Sequence, residues 1–190
     1  MHHLGAGSQG MNDVTVAPSG DVYVTGGQLQ VLRKGTDELA PVETTPDLPG
    51  TNGVAVDPKE TTLFVSIYPV GLGAIELETG QLRYLEAPAS ASLYGIDGLY
   101  WHEGDLVGIQ NGSQPWRLLR MSLNPDMTAV EDVRVIEFAN DAISPMTRAI
   151  IEDRIHYIGR GPAPEEPPAH FDAPLAPFLG QTVIMTAPLD

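Results

Sequence analysis

The chain has 190 residues, with 25 Asp and Glu residues against 10 Lys and Arg residues, and a formal net charge of −15. Such a surface repels phosphate backbones and anionic lipid headgroups, which argues against nucleic-acid and membrane partners. The absence of cysteine excludes a disulfide framework, a thiolate nucleophile and a cysteine zinc site. Hydrophobic residues make up 42% of the chain, which predicts a folded domain.

The placement of turn-forming residues favours short strands. The 20 glycines and 17 prolines fall between apolar runs, as expected where many short strands are joined by turns. No apolar run approaches the ~20 residues that cross a bilayer, and the first ten residues have neither the basic nor the apolar region of a signal peptide. The sequence therefore predicts no membrane span and assigns no compartment.

A strand–turn–strand pattern recurs four times along the chain. The clearest copy is YGIDGLYWHEGDLVGIQN, residues 94–111, and similar patterns occupy residues 12–25, 52–66 and 147–159. A spacing of roughly 40 to 50 residues is typical of propeller blades, each built from four short strands. We therefore predict a single all-β propeller domain, whose four-stranded antiparallel blades lie at about residues 11–50, 51–92, 93–143 and 144–190.

A β-sandwich is the alternative fold, because its turns also recur along the chain at short intervals. A sandwich has no reason, however, to repeat a four-strand pattern with a polar residue at the same place. Within the last repeat, residues 162–177 are too rich in proline to form a central strand. The Asn111-Gly112 dipeptide predicts a hairpin turn.

Several of these stretches resemble one protein family. NDVTVAPSGDVYVT, NGVAVDP…LFVS…ELETG and GIDGLYWHEGDLVGIQNG follow one another at blade spacing, and SPMTRAIIEDRIHYIG comes after them. Over about residues 11–161 they resemble the gluconolactonase, regucalcin (senescence marker protein) and luciferin-regenerating family, especially its bacterial members. The resemblance implies a six-bladed propeller, of which about four blades are recognisable here. Either the N-terminal blades are missing, which we take as the interpretation, or a smaller ring closes, or two chains complete each other. An open ring would expose apolar faces that favour self-association.

Three polar residues begin the first strand of successive repeats: Asn12, Asn52 and Asp97. The first strand of each propeller blade lines the central channel, so these side chains are expected to converge at one mouth of it. Amide and carboxylate oxygens are hard ligands suited to Ca²⁺, Mg²⁺ or Mn²⁺, and a carboxylate also serves Zn²⁺. Each residue alone could instead cap a turn by binding backbone N–H groups. We interpret the three in register as a divalent-metal site.

The resemblance implies a role for each of these residues. Asn52 and Asp97 match the family's metal ligands, Asn12 matches a residue near the metal and substrate, and Asp97 is also implied as the general base. The activity would be hydrolysis of a lactone, with Ca²⁺ as the first choice of metal and a lactone or sugar acid as the ligand. The family's glutamate ligand has no counterpart, and Gly10 replaces its substrate-binding arginine. A non-catalytic propeller that binds a protein or small ligand is therefore the alternative function.

The remaining candidates are weaker. His102 and His156 are interpreted as packed or exposed side chains, and Tyr100, Trp101 and Trp116 as core or channel packing. No glycine-rich phosphate loop opens a helix, and no nucleophile elbow of the form G-x-S-x-G is present.

Overall fold

The described residues form a β-propeller with four blades, in agreement with the fold class that the sequence predicts. The computed structural model describes residues 10–48, 50–138, 144–160 and 182–190. All regular structure in these residues is strand, and no helix among them could span a membrane. The proline-rich residues 162–177 lie outside the described part.

Each sheet is built from strands that are consecutive in the chain, which is the defining topology of a blade. Blade 1 contains β1 Val14–Val16, β2 Val22–Val24, β3 Gln30–Leu32 and β4 Leu39–Pro41. Blade 2 contains β5 Val54–Val56, β6 Thr62–Ile67, β7 Gly71–Glu76 and β8 Leu82–Tyr84. Blade 3 contains β9 Ile96–His102, β10 Asp105–Gln110, β11 Arg117–Leu123 and β12 Val130–Phe138. Blade 4 has three described strands, β13 Ser144–Ile151, β14 Arg154–Arg160 and β15 Thr182–Pro188.

The innermost strands β1, β5, β9 and β13 lie side by side, each in contact with the next. The amides of Val54 in β5 and Leu99 in β9 both donate to the carboxylate of Asp13, just ahead of β1, so corresponding ends of these three strands meet. We call the face where the innermost strands begin the entry face, and the face where they turn into the second strand the turn face. The described residues contain four blades, so a six-bladed ring is not confirmed.

The hydrophobic core consists of three clusters, one between each pair of neighbouring blades. Each sheet contributes side chains to the clusters on both of its faces, as strand β6 illustrates. Its successive side chains point to opposite faces of the sheet. Leu63 and Val65 pack towards blade 1, whereas Phe64 packs towards blade 3. Its ring stacks on Trp101 with centroids 5.7 Å apart. Trp101 is therefore a packing residue, in line with the interpretation from sequence.

Hydroxyl groups connect blade 1 to blade 2 and blade 2 to blade 3 at the entry face. The buried hydroxyl of Thr25, just after β2, donates to the carbonyl of Asn52. In the next blade the buried Ser66 hydroxyl of β6 donates in the same way to the carbonyl of Ile96. Since buried carbonyls need partners, these two bonds fix where the following innermost strand begins.

Tyr157 of β14 gives the last interface a pH dependence. Burial, together with the charge of Glu137 and a hydrogen bond to it, raises the pKa of Tyr157 to about 12. An unfolded tyrosine loses its proton near pH 10, so between about pH 10 and about 12 the unfolded state binds fewer protons and stability falls as pH rises. We expect the Tyr157→Phe variant to lose less stability than the wild type over this range, as measured by urea unfolding. Equal slopes for the two chains would contradict this, and the exposed Tyr84→Phe serves as control.

Candidate functional site

The structure places Asn12, Asn52 and Asp97 at equivalent points on three neighbouring innermost strands, all at the entry face. The backbone N–H of Asn12 donates to the backbone carbonyl of Thr25 at 2.9 Å. In the next blade the backbone N–H of Asn52 donates to the backbone carbonyl of Ser66 at 2.8 Å. Strand β9 starts one residue before Asp97, which therefore lies inside the strand rather than just ahead of it. Asn12 is exposed, whereas Asn52 and Asp97 are partly buried. No hydrogen bond joins these three side chains to one another within the described ranges.

Gly53 explains how closely β5 and β9 approach beside the site. A Cβ atom on Gly53 would lie 2.6 Å from the carbonyl oxygen of Asp97 and 2.6 Å from the amide of Leu99. The two backbones are thus in contact at this point. Asn52 and Asp97 therefore lie on adjacent strands beside this contact. Their joint role as ligands of one ion stays a prediction.

The side chain of Asn52 contains an unusual polar atom. Its Oδ1 is buried and accepts no hydrogen bond from any described residue. Its backbone groups, in contrast, are both satisfied, by Thr25 and Ser66. Leaving such an acceptor without a partner costs about 1–3 kcal/mol, so Asn52 Oδ1 is a candidate to bind a ligand.

Asp97 is held by a short chain of hydrogen bonds. The Asn111 amide nitrogen donates to Asp97 Oδ2 at 2.8 Å, and the Tyr68 hydroxyl donates to Asn111 Oδ1 at 2.9 Å. The side-chain amide of Asn111 thus donates through its nitrogen to Asp97 and accepts through its oxygen from Tyr68. Burial raises the pKa of Tyr68, and the charge of Asp97 raises it further, which keeps this hydroxyl a donor.

Two glycines in close backbone contact place Asn111 next to Asp97. Gly95 and Gly112 approach so tightly that a Cβ on Gly112 would lie 2.4 Å from the Gly95 Cα. The Asn111-Gly112 dipeptide lies in the connection between the antiparallel strands β10 and β11, in agreement with the predicted hairpin turn. It opens a longer loop between Gln110 at the end of β10 and Arg117 at the start of β11. Close backbone packing, rather than turn geometry, accounts for Gly112.

Asp13 is a residue that the sequence analysis missed. Its Oδ1 accepts the Val14 amide at 2.9 Å, and its Oδ2 accepts the amides of Val54 at 3.1 Å and Leu99 at 3.4 Å. One carboxylate thus binds the innermost strands of blades 1, 2 and 3. The signal was present in the sequence, because the corresponding positions of the next two repeats are glycines, Gly53 and Gly98. A charged residue therefore stands in the first repeat where the next two repeats have glycine, and this difference is the signal.

A second group of ligand-type side chains lies on the turn face, five residues from Asp97 along β9, or roughly 17 Å. His102 Nε2 lies 3.6 Å from Glu103 and 4.0 Å from Asp153 of blade 4. The three ligand atoms fall within 4.8 Å of one another, so this acidic group could hold a cation. The Arg120 guanidinium, 3.7 Å from Glu103 and 2.6 Å from Asp105, already supplies positive charge there.

No protein-family model and no curated protein matches the chain. Solved structures with the same fold do match. The nidogen/laminin complex has a TM-score of 0.65 at 14% identity, over 81% of this chain and 58% of that chain. An auxiliary nutrient binding protein from Bacteroides ovatus has a TM-score of 0.61 at 13% identity, over 94% and 50%. Luciferin-regenerating enzyme has a TM-score of 0.58 at 13% identity, over 93% and 60%.

At such low identity the likeness shows the fold alone. The chain spans half to three-fifths of the length of these three structures. Their names cover an enzyme, a nutrient-binding protein and a complex with laminin, so the fold by itself does not select a function. Luciferin-regenerating enzyme is one of the proteins that give their name to the family that the motifs resemble. Its structure supports the propeller fold of this chain. The assignment to the gluconolactonase family stays a prediction.

Proposed function

We propose that the chain is a metal-dependent, lactonase-like hydrolase, or a part of one, acting on a lactone at the entry face. Asn52 and Asp97 would hold a divalent cation, with Ca²⁺ as the first choice and Zn²⁺, Mg²⁺ or Mn²⁺ as alternatives. The observation that carries the proposal is the buried, unpartnered Oδ1 of Asn52 beside the strand that bears Asp97. A cation would satisfy that oxygen.

The residues present fit such a group by their chemistry. An amide oxygen and a carboxylate are both Ca²⁺ ligands. When bound, a divalent ion polarises an ester carbonyl and lowers the pKa of a nearby water. Only Asp97 Oδ2 is engaged by Asn111, and within the described residues Oδ1 accepts no hydrogen bond.

Asp97 would also accept the proton of the attacking water. A general base must lie within hydrogen-bond reach of the proton that it removes, here that of the attacking water. The bonds from Tyr68 through Asn111 hold the carboxylate in one orientation. Asn12, exposed at the same face, is free to bind a hydroxyl of the substrate. With the family's glutamate missing, the chain offers two ligands, and water or substrate would complete the coordination.

The proposal is tested by calorimetric titration with CaCl₂ and MnCl₂, together with pH-stat assay of an aldonolactone. We expect saturable binding, and metal-dependent hydrolysis above the spontaneous rate. Asn52→Leu and Asp97→Asn should weaken metal affinity by at least about 10-fold, and Asp97→Asn should abolish the hydrolysis. The matched control is Asp126→Asn, the same change of charge on an exposed turn. Absence of saturable binding, or full activity in Asp97→Asn, would refute the proposal.

A non-catalytic binding propeller is the second candidate. It is favoured by the missing glutamate and by the bond that Asn111 already makes to Asp97. Metal binding that depends on Asn52 and Asp97, without any lactone hydrolysis above background, would support this alternative.

A further inference from the structure

The contact between blades 1 and 2 shows how an innermost strand is normally covered. Val54 and Val56 of β5 pack in one cluster with Tyr23 and Val31 of blade 1. Their exposed fractions are only 1% and 7%. Each innermost strand therefore lays its apolar side chains on the sheet of the preceding blade.

The equivalent side chains of blade 1 have no such cover. Val14 and Val16 of β1 occupy the same positions as Val54 and Val56, yet their exposed fractions are 53% and 64%. Met11, just ahead of the strand, is also exposed at 43%. We call Val14, Val16 and Met11 the β1 ridge.

At the other end of the propeller, blade 4 exposes apolar side chains among the described residues. Ile155, Tyr157 and Ala187 pack on blade 3, so the side chains one position along point to the opposite side of the sheet. That side carries three isoleucines, with exposed fractions of 58%, 36% and 77%, namely Ile151, Ile158 and Ile184. Ile158 and Ile184 are direct cross-strand partners. We call these three residues the blade 4 face.

The two surfaces are complementary in kind. The β1 ridge is an innermost strand that lacks a sheet to lie on, and the blade 4 face is a sheet that lacks an innermost strand. Both are exposed in the same molecule, so they do not cover each other within one chain. On the blade 4 face the His156–Thr186 pair separates Ile151 from the Ile158–Ile184 pair. Exposed apolar side chains grouped on one surface mark interaction sites on folded proteins.

We propose that a second copy of this chain supplies the missing neighbour, the β1 ridge of one copy packing on the blade 4 face of another. The contact repeats the one that already joins blades 1 and 2, carried across to a second molecule. It is head to tail, because different surfaces meet. The charge of −15 on each copy opposes the contact, so added salt should strengthen it by screening the repulsion. This proposal is independent of the proposed hydrolase activity.

Sedimentation velocity of the full chain tests the proposal. The wild type should gain mass with concentration over the micromolar range, and more so at high salt. Val16→Glu on the ridge and Ile184→Glu on the face should each weaken association by at least about 10-fold, because the contact would bury an unpaired charge. The control Val70→Glu changes an apolar residue of similar exposure, 54%, outside both surfaces, and should associate as the wild type does.

Mixing the two variants identifies the geometry. Val16→Glu keeps an intact blade 4 face and Ile184→Glu keeps an intact ridge, so the mixture should form a dimer that neither variant forms alone. A monomeric wild type, undiminished association of either variant alone, or a mixture that stays monomeric would overturn the proposal. Val14→Glu and Ile158→Glu repeat the experiment at independent positions. Circular dichroism melting of each variant ensures that only folded chains are compared.

Discussion

Replacing Asp13 by alanine is expected to lower the free energy of unfolding by about 3 kcal/mol or more. The substitution removes the acceptor of three amide groups, those of Val14, Val54 and Leu99. Hydrogen bonds to a charged group contribute about 1.5–3 kcal/mol each, and donors left without a partner inside the fold add a penalty. The same change also loosens β5 and β9, the strands that carry Asn52 and Asp97.

Urea unfolding measures the effect, with the midpoint and slope compared between variants. Asp13→Asn should be destabilised less than Asp13→Ala, because its one amide oxygen still accepts while its NH₂ group faces another donor. Asp126→Asn on an exposed turn controls for the loss of one negative charge. If Asp13→Ala unfolds at the wild-type midpoint, the carboxylate does not hold the three blades together.

Replacing Gly53 by alanine is expected to cost about 3 kcal/mol and to disturb the candidate metal site. The added methyl group would lie 2.6 Å from two backbone atoms of β9, one of them the carbonyl oxygen of Asp97. Backbone cannot move aside as a flexible side chain does, so β5 and β9 must separate, and overpacking of this kind costs about 1–3 kcal/mol or more. Separating them would also move Asn52 away from Asp97.

The control for this variant is Gly35→Ala. Gly35 has a φ of 83°, so alanine is strained there, but a Cβ would meet nothing within 4 Å. Backbone strain alone costs of order 1 kcal/mol. Thermal unfolding should therefore rank Gly53→Ala well below Gly35→Ala, and calorimetry should show weaker Ca²⁺ binding only for Gly53→Ala. Equal stability of the two variants would mean that the strand contact tolerates a side chain.

The strands of blade 2 could be predicted from sequence because local chemistry determines them. Apolar runs alternate with the polar turns Asp57-Pro58-Lys59-Glu60 and Glu78-Thr79-Gly80, and the observed β5 to β8 all lie within the predicted blade at residues 51–92. The alignment of the repeats likewise predicted that Asn12, Asn52 and Asp97 lie at one end of the channel, and the structure has all three at the entry face. These features depend on neighbours in the chain, which the sequence displays directly.

The partners within the site could not be predicted in this way. Asn111 was interpreted as a turn residue, because its approach to Asp97 depends on two backbones meeting at Gly95 and Gly112. Asp13 was passed over because its partners lie 41 and 86 residues away. Contacts of that range follow from how blades pack, which the local pattern does not contain.

The reach of Asp13 has a consequence for how the chain folds. In repeat proteins whose units touch only their nearest neighbours, each unit can gain or lose structure on its own, and stability is a sum of local terms. Asp13 instead connects the first repeat to the third, across 86 residues. Blade 1 therefore gains its full stability only after blade 3 has formed. The three blades should unfold as one cooperative unit, and they should fold slowly, as chains rich in distant contacts do.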